Sequence, residues 1–178
     1  MKRAARMDTV SAGMLLFHHR RGKLRVLLAH PGGPYWRHRD LGAWSIPKGE
    51  RHRDENSETA ARRELAEELG LSAIGALQPL GEVRQRSEKR IEAFAAEGDF
   101  AVERLRSNKF HIEWPPGSGH RASFPEIDRA AWFTLELARQ KIVASQIPFL
   151  DRLAQLYAMR RAPNQPPLIA IDGHHSPR

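Results

Sequence analysis

The 178-residue chain carries 29 Lys and Arg against 21 Asp and Glu, a formal charge of +8, with 40% hydrophobic and 28% charged residues. That balance is ordinary for a globular domain with its own core; no apolar run approaches a membrane span, and no apolar signal core follows the basic residues 1–6. The absence of cysteine excludes disulfides, thiolate metal sites and a cysteine nucleophile, and makes a reducing cytoplasm the expected location.

Residues 1–8 read as a frayed arm. Alternating and continuous apolar runs predict strands over 9–18 and 24–29, joined at Arg20-Arg21-Gly22-Lys23 as a hairpin. The loop His30-Pro31-Gly32-Gly33-Pro34-Tyr35-Trp36 cannot be regular structure. Its Tyr35 and Trp36 either stack on a base or cover the edge of the core. A short strand is expected over 42–46, followed by a loop over 47–56 with Pro47, Lys48 and Gly49 at its start.

A helix is expected over 57–69. Asp54, Asn56 and Ser57 offer N-cap oxygens, and Gly70 offers the stop. On that helix Glu64, Glu67 and Glu68 stand at i, i+3 and i+4 and span about 100° of one face. Ala61, Leu65 and Leu69 form the apolar stripe beside them. Like charges on adjacent turns repel. A hard divalent cation, which takes oxygen ligands and bridges to phosphates, would reverse that repulsion; the alternative is a solvated acidic face.

Beyond the helix, strands are expected around 81–85 and over 89–100, with Ile91 and Phe94 as core residues, and a turn at Ser87-Glu88. Residues 101–109 read as a short helix or loop, and 110–114 as a strand with Phe110, Ile112 and Trp114 on one side. A last strand is expected over 130–133. Helical patterns follow over 135–143 and 146–159, with Ile147, Leu150, Leu153 and Leu156 facing the core. The proline-rich stretch 161–178, with His174-His175, reads as a tail. Residues 9–160 thus form one α/β domain with a mixed sheet. The basic excess favours nucleotides, polyphosphates or nucleic acid as partners.

The stretch from Gly49 to Leu71 resembles the Nudix box, G-x5-E-x7-R-E-U-x-E-E-x-G-U with U aliphatic, at all nine defined positions: Gly49, Glu55, Arg63, Glu64, Leu65, Glu67, Glu68, Gly70 and Leu71. The resemblance, which extends over roughly residues 9–158, implies a Nudix α/β/α sandwich with a mixed sheet. It implies Mg²⁺ or Mn²⁺ on Glu64, Glu67, Glu68 and the Gly49 carbonyl, and metal-assisted hydrolysis of a phosphoanhydride. Arg63 is expected to pair with Glu55 and fix the loop against the helix. Lys48 either contacts a phosphate or faces solvent. The general base is expected to be a box glutamate, with Glu126 next and Glu97 and Glu113 as further acids.

The expected substrate is a nucleoside diphosphate linked to another group. A dinucleoside polyphosphate suits the basic surface best; nucleoside triphosphates, nucleotide sugars and RNA ends stay open. The competing reading is a non-catalytic nucleotide-sensing or RNA-binding module, against which the intact acids argue. Isomerases of this fold that use a cysteine are excluded by composition.

Overall fold

The computed structural model describes residues 10–72, 74–85 and 88–161. The arm over 1–8, the tail beyond 161 and the Ser87 half of the expected turn lie outside the described residues.

The central strand, β1 (Val10–Arg20), has strand partners on both of its edges. It runs antiparallel to β2 (Lys23–Pro31) and to the short β3 (Lys48–Glu50), and parallel to β5 (Arg90–Glu97). With β4 (Gln78–Arg84) beyond β5 and β8 (Ile127–Thr134) beyond β2, the sheet order is β4-β5-β1-β2-β8, with β3 set against the start of β1. A second, two-stranded sheet is formed by β6 (Lys109–Glu113) and β7 (Arg121–Pro125).

Side chains of a strand alternate between faces, and β1 shows what each face meets. Met14 and Leu16 join Leu27 and the apolar stripe of α1 (Ser57–Leu69), Ala60, Ala61, Leu65 and Leu69. Leu15 and Phe17 join Val26, Leu28 and the helices on the other side, α2 (Leu135–Lys141) and α3 (Ile147–Arg161), through Ala138, Phe149, Leu150 and Leu153. The result is the expected three-layer α/β/α sandwich around a mixed sheet. Leu150 and Leu153 are buried, with Ile147 and Leu156 packed against the same cluster.

Four expectations change. His30 and Pro31, expected in the loop, are the last residues of β2 and pair with β8. Residues 42–46 form a turn and two isolated bridges, Ala29 with Ser45 and Trp44 with Ile142, rather than a strand. The chain leaves the sheet there because the Ile46 N–H donates to the Gln146 side chain (3.0 Å) instead of to a neighbouring strand. Pairing resumes at Lys48–Glu50, inside the expected loop. β5 ends at Glu97, where the next N–H, that of Gly98, returns to the Phe17 carbonyl. β7 was not expected, and its presence turns the strand ending at Glu113 into a hairpin.

Candidate functional site

Helix α1 begins and ends where its termini are satisfied. The Asn56 side chain accepts the Thr59 N–H at 2.8 Å, and Gly70, at φ 75°, returns its N–H to the Ala66 carbonyl. Burying Ala61, Leu65 and Leu69 fixes the helix rotation, which turns Glu64 and Glu68 toward β3.

There the two elements meet closely. The Lys48 N–H donates to Glu68 Oε2 at 2.9 Å. Glu64, only 9% exposed, lies under Gly49; a Cβ at position 49 would sit 2.0 Å from the Glu64 carboxyl. Only glycine leaves room for that carboxylate. Pro47 anchors the approach, its carbonyl accepting the Met14 N–H at 2.9 Å.

Arg63 ties the loop to the helix. Its Nε and Nη2 donate to the two oxygens of Glu55, each at 3.0 Å, and Nη2 also reaches the Glu50 carbonyl at 2.9 Å. Nη1 donates to Glu64 at 2.6 Å and to Glu67 at 3.3 Å. Arg63 therefore bonds two of the helix acids as well as Glu55. The guanidinium fork matches a carboxylate edge, which makes the Glu55 pair both strong and directional. It holds the Glu55 carboxyl below the usual range, helped by the His52 N–H.

The other carboxyls are pushed the opposite way. Burial raises Glu64, against the pull of Arg63. Burial raises Glu68 to about 8; Lys48 opposes the shift, and the charges of Glu64 and Glu126 add to it. Glu67 and Glu126 are exposed. Glu126 thus stands within electrostatic reach of both buried acids although it comes from the far side of the β6–β7 hairpin. The base of that hairpin is clasped to α1: the Asn108 N–H meets the Glu67 carbonyl (3.3 Å), the Glu126 N–H meets the Asn108 carbonyl (2.8 Å), and the Ile127 N–H meets Ser107 Oγ (2.9 Å).

Two other acids lie elsewhere. Glu97 ends β5 opposite Phe17, at the opposite end of β1 from Gly49. Glu113 accepts the Gly119 N–H at 2.7 Å and closes the tip of the β6–β7 hairpin. Trp36 is half-buried, packs against the α2/α3 side of the core and carries Arg39 over its ring at 5.3 Å.

The aromatic surface near the acids comes from other residues. A cleft of ≈ 490 Å³ is lined by Gly33, Arg37, His38, Trp114, Phe124 and Asp128, with Pro125 beside Glu126 completing the wall. Tyr35 meets Trp114 edge to face, at 5.3 Å between centroids. Sequence reading missed this cleft. Its one local signal is the alternation of Ala122 and Phe124, which pair with Ile112 and Phe110 across the hairpin.

A mixed sheet between helical layers, with a glutamate-bearing helix locked under a glycine of the adjoining strand, defines an α/β/α protein built to hold carboxylates against backbone. The chain belongs to the Nudix family: the family model described as NUDIX domain matches residues 7–153. It is 42% identical over 59 residues to an RNA pyrophosphohydrolase of Caulobacter vibrioides, a match covering 30% of this chain and 34% of that protein. The chain thus spans about a third of the length of the curated relatives it matches.

Solved structures agree on the fold. The NUDIX domain of Shewanella oneidensis NrtR complexed with ADP ribose superposes with a TM-score of 0.61 at 16% identity, covering 86% of this chain and 91% of that one. A binary complex of a C. elegans Ap4A hydrolase gives 0.59 at 19% identity, covering 84% and 98%.

Proposed function

We propose that the chain is a divalent-metal-dependent hydrolase of a phosphoanhydride bond in a nucleoside diphosphate linked to another group. The observation that carries this reading is the seating of Glu64 and Glu68 under Lys48 and Gly49, with Glu67 beside them on one helix face.

The donor set suits a hard cation. Among the described residues no three His, Asp or Glu side chains already converge as a cation cage; Glu64 and Glu68 are turned to Arg63 and to the Lys48 N–H. Yet a buried and a half-buried carboxylate, both with raised proton affinity, near a third acid in Glu126, form an oxygen site with excess negative charge. That is the chemistry Mg²⁺ or Mn²⁺ satisfies. Glu64, Glu67, Glu68 and the Gly49 carbonyl would hold it. Such an ion supplies charge neutralisation at the phosphate oxygens and lowers the pKa of a bound water.

The chain's own groups do the rest. Arg63 and Glu55 keep the 50–55 loop fixed to the helix, so only the carboxylate side chains, not the backbone, need turn toward a cation. The Lys48 ammonium favours ionised Glu68, and in this reading it contacts a substrate phosphate. A box glutamate takes the proton from the attacking water, with Glu68 the leading choice and Glu126 the second. The Trp114–Phe124 cleft next to Glu126 offers apolar surface for a base or other flat group.

A dinucleoside polyphosphate is the favoured substrate class on charge, and similarity to the Ap4A hydrolase fold is compatible with it. An RNA 5′ end is the second, favoured by the segment shared with the RNA pyrophosphohydrolase. The test is hydrolysis with Mg²⁺ of dinucleoside polyphosphates, nucleoside triphosphates, nucleotide sugars and 5′-triphosphate RNA, with the nucleotide, sugar phosphate, phosphate and pyrophosphate products resolved by chromatography. Turnover of one class that disappears in Glu68→Gln supports the hydrolase. Metal-independent binding with no turnover of any class would replace it with a nucleotide-sensing module.

A further inference from the structure

The far end of the central hairpin carries a second concentration of binding chemistry. In the β1–β2 register His18 stands opposite Arg25 and Arg20 opposite Lys23, so the four share one face. Trp132, opposite Leu27 on β8, continues that face. It is the face that α1 covers nearer the acids, where Leu16 and Leu27 are buried against the helix. Past that edge no helix among the described residues covers the sheet, and His18, Arg20, Arg21, Lys23, Arg25 and Trp132 line a cleft of ≈ 600 Å³. From Ala12, which pairs with Gly49, to His18 the strand advances about 20 Å at roughly 3.3 Å per residue. The cleft is therefore separate from the carboxylate site.

Its charge is one-sided. Arg20 pairs with Asp99 at 2.5 Å, and His18 Nδ1 lies 3.5 Å from the same carboxylate. Among the described residues no carboxylate comes within ion-pair distance of Arg21, Lys23 or Arg25. The turn itself points the same way. Arg21 has φ 50° and Gly22 φ 75°, the left-handed pair of a tight hairpin turn, where Asn-Gly is the comfortable combination. An arginine at such a position costs stability, and here it adds a guanidinium to the mouth of the cleft. The floor is an aromatic stack, whose outer side can take a further ring. The His18 imidazole stacks on the Trp132 indole at 4.0 Å and 5°, and the Trp132 N–H is fixed to the Phe100 carbonyl at 3.0 Å.

Guanidinium groups match phosphate oxygens in bidentate geometry, and a π surface beside cations takes a nucleobase regardless of sequence. The volume falls in the range of nucleotide-sized sites. The geometry points to a second site, which takes a nucleotide unit: phosphate on Arg21, Lys23 and Arg25, base against the His18–Trp132 floor. The unit belongs either to a single-stranded RNA or to a free mononucleotide. An acidic peptide meets the cations but leaves the aromatic floor unused. The site does not depend on the phosphoanhydride chemistry proposed above, and its test reads binding alone.

The full chain is titrated against a 3′-fluorescein 12-nucleotide single-stranded RNA with a 5′-hydroxyl, which has no anhydride to hydrolyse, and anisotropy is followed over a range of salt. Arg21→Glu with Lys23→Glu is expected to weaken binding by about tenfold or more and to flatten the log–log salt slope by about 1.4, at roughly 0.7 for each phosphate no longer neutralised. Arg84→Glu with Arg160→Glu makes the same charge change at exposed positions on β4 and α3 and is expected to cost less than about twofold. Arg21→Asn, which suits the turn, is expected to raise the melting temperature while weakening binding, so a folding defect cannot imitate the effect. Competition by AMP at comparable concentration assigns the site to the free nucleotide; resistance to AMP assigns it to the strand. Equal losses in the two charge-reversed variants, or displacement by polyglutamate as effective as by unlabelled RNA, would overturn the proposal.

Discussion

The carboxyl of Glu64 occupies the space that a side chain at position 49 would need: an added Cβ would stand 2.0 Å from it. The glycine is thus a steric half of the carboxylate site. Gly49→Ala is expected to push β3 off α1, lower stability by about 1–3 kcal/mol and abolish turnover. Adding Glu64→Ala opens the space again, so the double variant should regain melting temperature without regaining activity. A double variant no more stable than Gly49→Ala would show that the clash lies elsewhere.

Arg63 spans Glu55, Glu64 and Glu67 as well as the Glu50 carbonyl. Arg63→Lys keeps the charge and loses the fork. It should cost about 1.5–3 kcal/mol in urea unfolding, the range for hydrogen bonds to charged groups, and reduce kcat more than it raises KM. A variant of unchanged stability and kcat would leave the loop clamp without a role.

Desolvation pushes the Glu68 carboxyl up to about 8 in the folded chain, above the ordinary 4.5. A folded pKa raised above the unfolded one stabilises the protein below the unfolded value, and that stability is lost as pH rises through the folded value. In EDTA the melting temperature should therefore fall between about pH 4.5 and 8. Glu68→Gln should flatten this slope. Mg²⁺ added at pH 8 should raise the melting temperature of the parent chain by binding the folded state, and this rise should shrink in Glu68→Gln. A flat profile in EDTA would remove Glu68 as the buried acid.

The proton acceptor is separable by two amide substitutions. Glu68→Gln is expected to lower kcat by about 10²–10⁴, the usual worth of a general base. Glu126→Gln, at an exposed position, should cost about tenfold or less by comparison. The reverse order, with a pH–rate limb lost only in Glu126→Gln, would assign the base to Glu126.

Trp114 and Trp36 should separate binding from packing. Trp114→Ala is expected to raise KM for a base-containing substrate by about tenfold with little change in kcat, in line with roughly 1–3 kcal/mol per stacked base. Trp36→Ala is expected to lower stability by about 3 kcal/mol, the low end for removing a well-packed aromatic side chain, and to leave KM alone. The opposite pattern would make Trp36 the stacking residue.

What the sequence disclosed about this site follows from how far apart its parts are. Glu64, Glu67 and Glu68 are neighbours on one helix, so periodicity alone put them together, and Asn56 and Gly70 marked the ends. The box spacing brought in Gly49 and Glu55, but nothing local showed that Glu64 would be buried beneath Gly49. β3 escaped notice because three residues with a central glycine carry no strand pattern, and its pairing with β1 is a tertiary event. β7, Arg121-Ala122-Ser123-Phe124-Pro125, has too little apolar character to be read without its partner. The Trp114 cleft joins a loop before the helix to a hairpin after it, and the basic cleft joins residues 18–25 to Trp132. No window of sequence contains either.

The β6–β7 hairpin forms a sheet of its own, fastened at its base by Asn108, Ser107 and Glu126. Its outer half is therefore free to change in length and lining without disturbing the strand register that seats Glu64 and Glu68. The proposed carboxylate site and the proposed base-binding cleft lie in different modules of one chain. Exchanging residues 110–124 for a hairpin of another length would therefore alter the Trp114–Phe124 cleft while leaving the helix acids in place.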